Sequence, residues 1–97
     1  METYVILRRH GWRSVEDLTA AGERSVAAGD EMTDEVRWIR SYMLDDGVDS
    51  VGTVCVYEAA SPEVLRSHAK RADLPIDEII PVLDTVVVRP DPVSAPG

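Results

Sequence analysis

The stretch Val36–Pro75, VRWIRSYMLDDGVDSVGTVCVYEAASPEVLRSHAKRADLP, decides the fold. Val36, Trp38, Arg40, Tyr42 and Leu44 share one parity, and Ile39 and Met43 hold the other, the two-residue alternation of a strand. The turn DDGVDS supplies the glycine and aspartates that hairpin loops use, so GTVCVYEA reads as the returning strand. Ser61 sits where a helix N-cap belongs, with Pro62 at the first helical position, where a missing amide hydrogen costs nothing. Val64, Leu65, His68, Ala69 and Ala72 then share one helical face, and Leu74-Pro75 closes the segment.

Upstream, Tyr4 to His10 reads as a strand with two unlike faces, Val5 and Leu7 on one and Tyr4, Ile6, Arg8 and His10 on the other. Gly11 ends it. Ser14 and Asp17 form an S-x-x-D capping box, and Val15, Leu18, Ala21, Gly22 and Val26 follow at helical steps to about Ala28. Gly22 costs about 1 kcal/mol of helix propensity against alanine, which points to a close helix–sheet contact as compensation. Downstream, Glu78 to Val88 reads as a last strand. Pro81 within it cannot donate to a ladder, which predicts an edge or a bulge. Residues 1–89 are expected to form one domain and 90–97, PDPVSAPG with Arg89 before it, a flexible tail.

The order strand, helix, strand, strand, helix, strand in so short a chain predicts an α+β ferredoxin-like βαββαβ sandwich. Its four-stranded antiparallel sheet runs in order 4-1-3-2, with both helices on one face. Eighteen acidic against ten basic side chains give a net charge of −8. That charge repels phosphate backbones and anionic membrane surfaces, so no nucleic acid and no membrane is expected as partner. No apolar run approaches the roughly 20 residues of a membrane span. The start METYVILRRH lacks the pattern of a secretory signal, and a single cysteine, Cys55, cannot form an internal disulfide; together they predict a cytoplasmic protein.

The more aliphatic parity of each strand, Val5, Leu7, Ile39, Met43, Val54 and Val56, is expected to face the helices. The other face then carries Tyr4, Ile6, Arg8, His10, Trp38, Arg40, Tyr42, Thr53, Cys55 and Tyr57. Exposed Trp and Tyr forfeit hydrophobic free energy unless something covers them. That predicts a homodimer packed through this open face, aromatics central and arginines at the rim, enclosing a small-ligand pocket. The candidate ligand-binding residues are Arg8, His10, Trp38, Arg40, Tyr42, Cys55 and Tyr57. An enzymatic alternative uses the same face: a cofactor-independent isomerase, cyclase or monooxygenase with His10, Tyr42 or Tyr57 moving protons and Arg8 or Arg40 stabilising an oxyanion. Phosphate loops, G-x-S-x-G, C-x-x-C and H-E-x-x-H are absent from the sequence, and Asp45, Asp46 and Asp49 lack the calcium-loop pattern. His10 and His68 are expected on opposite sides of the sheet, which does not favour a shared metal.

The segments VRWIRSYMLDD, CVYEAASPE and RADLPIDEIIPV carry W-x-x-S-Y, C-x-Y-E-A-x-S-P-E and L-P-x-D-x-I in that order. In these the chain, from about Tyr4 to Val88, resembles a family of small bacterial ferredoxin-like domains of formerly unknown function that includes a nickel-binding protein. The resemblance implies a ferredoxin-like dimer and makes nickel the candidate cofactor. The nickel-binding branch is rich in histidine in the first strand and around the second helix, where this chain has only His10 and His68. No ligand set carries over, and metal and catalytic residues stay unassigned.

Overall fold

The computed structural model describes residues 1–91 and consists of β1 (Glu2–Trp12), α1 (Val15–Asp30), β2 (Val36–Asp45), β3 (Val51–Ala59), α2 (Pro62–Ala72) and β4 (Glu78–Pro81). The strands pair antiparallel in the order β2-β3-β1-β4, which is the expected ferredoxin-like topology. Both helices lie on one side of this sheet.

Local chemistry accounts for most boundaries. Ser14 Oγ accepts from the Asp17 amide at 3.2 Å and Ser61 Oγ from the Val64 amide at 3.3 Å, each satisfying one orphan donor of a first helical turn. Asp73 closes α2 in the left-handed region, at φ 54°, which lets the Leu74 amide return to the Ala69 carbonyl at 2.8 Å. The β2–β3 turn places Gly47 at φ 119° and closes with Asp46 N donating to Ser50 O at 3.1 Å.

Two expectations are corrected here. The last strand ends at Pro81, opposite Tyr4, instead of continuing to Val88. Pro81 does lie on an edge strand, because β4 pairs with β1 alone. Beyond it Leu83, Val86, Val87 and Val88 are exposed and outside any strand. The chain then reaches the opposite edge, where Asp91 accepts from Tyr42 Oη at 2.7 Å and forms an ion pair with Arg40. Of the tail expected at 90–97, residues 92–97 lie outside the described residues.

The second correction concerns the faces of the sheet. The core is Tyr4, Ile6, Cys55, Tyr57 and Ala59 from β1 and β3, with Val36, Met32 and Leu65. The parity expected to be open therefore faces the helices, and Val5, Leu7, Val54 and Val56 line the open side, half-buried. Complementary volume explains the reversal. The buried residues of α1 are small, Ala21, Ser25 and Ala28, whereas α2 turns in Leu65 and His68 beside Ala69 and Ala72; the space under α1 is the one that takes large side chains from the sheet.

Strand β2 changes faces partway along. Trp38 stands opposite Tyr57 and Arg40 opposite Val56, with a register shift between them that leaves Ile39 unpaired, a β-bulge. Trp38 therefore joins Tyr57 under the helices. Past the bulge, Arg40 and Tyr42 face outward with Val56 and Val54, while Ser41 and Met43 face inward with Cys55 and Thr53.

Candidate functional site

The small inward faces of the helices do not fill the layer completely. Between α1 and the sheet lies a cavity of about 300 Å³. Leu18, Ala21, Gly22 and Ser25 of α1 form its roof, and Arg8, Trp38, Ser41, Thr53, Cys55 and Tyr57 its floor. Trp12 and Leu74 line it as well, so both tryptophans of the chain touch the same space. Met43 and Thr19, which are exposed, mark the mouth; Arg8 and Tyr57, only 1% exposed, mark the deep end.

A hydrogen-bonded chain holds the deep end. Arg8 Nε donates to the Pro75 carbonyl at 2.7 Å and Nη1 to Cys55 Sγ at 3.1 Å, while Nη2 has no partner among the described residues. The Cys55 thiol points on to Thr53 Oγ1 at 3.4 Å. Tyr57 Oη and Ser25 Oγ share a hydrogen bond of 3.2 Å. Burial raises the Tyr57 phenol above its ordinary value, opposed by the Ser25 hydrogen bond and the Arg8 charge. The phenol is neutral at physiological pH and can donate or accept one hydrogen bond.

The aromatic rings stack behind this chain. Trp38 lies parallel to Tyr57 with centroids 6.2 Å apart, and His68 meets Tyr57 edge-on at 5.6 Å. Trp38 Nε1 donates to Ser41 Oγ at 2.7 Å, which fixes the indole as a cavity wall. A Cβ at Gly22 would stand 3.9 Å from Trp38 Cη2, an ordinary contact that alanine could also make, so the helix–sheet approach here is not close enough to require the glycine, contrary to the sequence expectation. His68 donates from Nε2 to the Ser25 carbonyl at 3.0 Å, and its buried Nδ1 is unpartnered. Burial holds its pKa below the ordinary value, with the Arg8 charge adding to the shift and the Ser25 hydrogen bond opposing it.

Of the seven residues expected at the site, the structure gathers Arg8, Trp38, Cys55 and Tyr57 around one cavity, on the helix side of the sheet and within one chain. Arg40 and Tyr42 are on the other face with Asp91. His10 is exposed at the irregular end of β1, with φ 52° and Nδ1 2.7 Å from Ser50 Oγ. The expectation that His10 and His68 do not meet holds. Sequence reading missed Gly22, Ser25, Trp12, Met43 and Leu74 as lining residues; the signal available was the small residues Ala21, Gly22 and Ser25 along one face of α1.

The fold and this cavity define a class: a ferredoxin-like domain with a small-molecule-sized cleft, open at one end, between its first helix and its sheet. Residues 4–82 match the family profile described as nickel responsive protein SCO4226-like, and the chain belongs to that family. The crystal structure of SCO4226 from Streptomyces coelicolor A3(2) is similar in fold, with a TM-score of 0.69 at 20% sequence identity, covering 87% of this chain and 99% of that one. No curated protein matches the sequence. Among the described residues, no group of three or more His, Cys, Asp or Glu side chains is placed to hold a metal ion, and no helix is long and apolar enough to cross a membrane.

Proposed function

We propose that this chain is a small-molecule-binding domain whose ligand occupies the cavity between α1 and the sheet. The observation that carries the reading is the cavity itself: about 300 Å³, walled largely by Trp38, Leu18, Leu74 and Ala21, and ending in a few buried polar groups. That volume lies at the lower end of the range for small-molecule sites. Both tryptophans line it, so intrinsic fluorescence reports occupancy. Screening small aromatic and branched compounds is expected to find some that change emission and raise the melting temperature. Gly22→Leu, which fills the space from the roof, should abolish both responses while the circular dichroism spectrum is kept. Responses that survive in Gly22→Leu would mean that the ligand binds elsewhere.

Two copies associate in this reading through the open face, where Val5, Leu7, Val54 and Val56 are joined by the exposed Tyr42 and Ile80. Exposed apolar side chains grouped on one sheet face suit an interaction surface. The buried free thiol of Cys55 and the want of a disulfide partner suit a reducing cytoplasm.

Family membership favours a second reading, a divalent metal such as nickel. The residues of one protomer do not fit it: Nε2 of His68 is committed to Ser25, His10 stands apart at Ser50, and Cys55 is held by Arg8. Equilibrium dialysis of untagged protein against nickel is expected to return less than one ion per chain. A stoichiometric value that falls with pH through the histidine range would move the metal reading ahead.

A further inference from the structure

We infer that the ligand of this cavity is a small organic monocarboxylate with a ring-sized or branched apolar body, its carboxylate bound to Nη2 of Arg8. The inference rests on the cavity reading and adds the chemical class.

Arg8 is 1% exposed and carries a permanent charge, yet none of the ion pairs among the described residues includes it. Its two satisfied donors go to neutral acceptors, the Pro75 carbonyl and the Cys55 sulfur, and the second is a weak one. Nη2 is buried without an acceptor among the described residues, and it is covered so fully that a ligand oxygen reaches it only with a small shift of the deep wall. No Asp or Glu lines the cavity. A buried guanidinium without an anion is strongly disfavoured, because desolvation is not repaid by an opposite charge. An incoming carboxylate supplies both the charge and the missing acceptor in a water-poor site, where such a bond is stronger than in bulk water.

The remaining walls select the rest of the molecule. Trp38, Leu18 and Leu74 are apolar, and Trp38 is fixed by its bond to Ser41. Inorganic phosphate or sulfate would leave these walls uncovered and bring two charges to one arginine. A compact apolar body behind a single carboxylate covers them, enters past Met43, and leaves Tyr57 Oη available for one further hydrogen bond.

The test uses the untagged full chain and matched pairs of an acid and its neutral amide: isovalerate with isovaleramide, phenylacetate with phenylacetamide, and indole-3-acetate with its amide. Tryptophan fluorescence titration should show at least one acid binding tenfold or more tighter than its amide. In Arg8→Met the preference should collapse to within about twofold, and in Gly22→Leu neither partner should bind. Equal binding of acid and amide, lost in Gly22→Leu, overturns the carboxylate assignment and leaves the cavity reading standing. Binding of no acid in the set overturns the inference; if the amides are silent too, the cavity reading falls with it. Should Arg8→Met fail to fold, the acid-to-amide ratio of the unaltered protein decides alone.

Discussion

Arg8 and His68 are both buried polar groups with one nitrogen unpartnered among the described residues. The His68 pKa is held below the ordinary 6.5, so in the acid range the unfolded chain binds the proton more readily than the folded one. Stability is full above the unfolded value and is lost as pH falls from there toward the folded value. Urea denaturation of the unaltered protein should show its midpoint falling between pH 7.5 and about 5.5, and His68→Gln should flatten that dependence; an unchanged slope would assign the acid sensitivity to other groups. Gly22 offers a test of the opposite kind. Its Cβ position is in ordinary contact distance of Trp38, with no backbone in the way. Gly22→Ala should therefore stabilise the protein by about 0.5–1 kcal/mol, the helix-propensity difference, as an upward shift in urea midpoint.

Strand β2 is the element that sets which residues meet. Without the bulge at Ile39, Trp38, Arg40 and Tyr42 would all point the same way, and the indole would be separated from Tyr57 or both outward polar residues would be buried. The neighbouring end of β1 has its own irregularity, between Arg8 and Trp12, with His10 in the left-handed region. Gly52 makes room for it: a Cβ there would stand 2.5 Å from the Arg8 carbonyl oxygen and would also collide with the Asp46 carboxylate. Asp46 is the residue that accepts from the His10 amide at 2.8 Å. Gly52→Ala should thus cost about 1–3 kcal/mol by overpacking against backbone and loosen the floor of the cavity near Arg8. Chemical denaturation checks the first effect, and a loss of ligand affinity larger than that of Gly22→Ala checks the second.

For the molecule as a whole, the open face of the sheet is the surface still to be covered. Light scattering at micromolar concentration should return about twice the chain mass of 10.7 kDa. Val56→Glu places a charge between Val5 and Arg40 on that face and should return the mass of one chain with the helical signal intact. Trp38, which the sequence reading placed on this face, is the wrong residue for such a test, because it is packed against Tyr57 and Gly22. The cavity is lined by residues of one chain only, so the ligand binding proposed for it does not depend on a second copy. It should therefore survive in the Val56→Glu monomer, a result read from the same fluorescence titration.

The sequence by itself determined the order of elements, the strand order and the helix caps, because turn, capping and periodicity signals are local and each was present in its simplest form: Ser14, Ser61 with Pro62, and Gly47. It also picked out Arg8, Trp38, Cys55 and Tyr57 as unusual company. Only the tertiary structure decided which way they face. The choice rested on volume complementarity between the small inward residues of α1, with Leu65 and His68 of α2 beside them, and the larger side chains of one sheet face, a relation between elements that no single strand records. It also rested on one unpaired residue in β2, since a single bulge reverses every later parity along the strand. The same packing that turned Arg8, Cys55 and Tyr57 toward the helices left a space beside an arginine that has no ion-pair partner among the described residues.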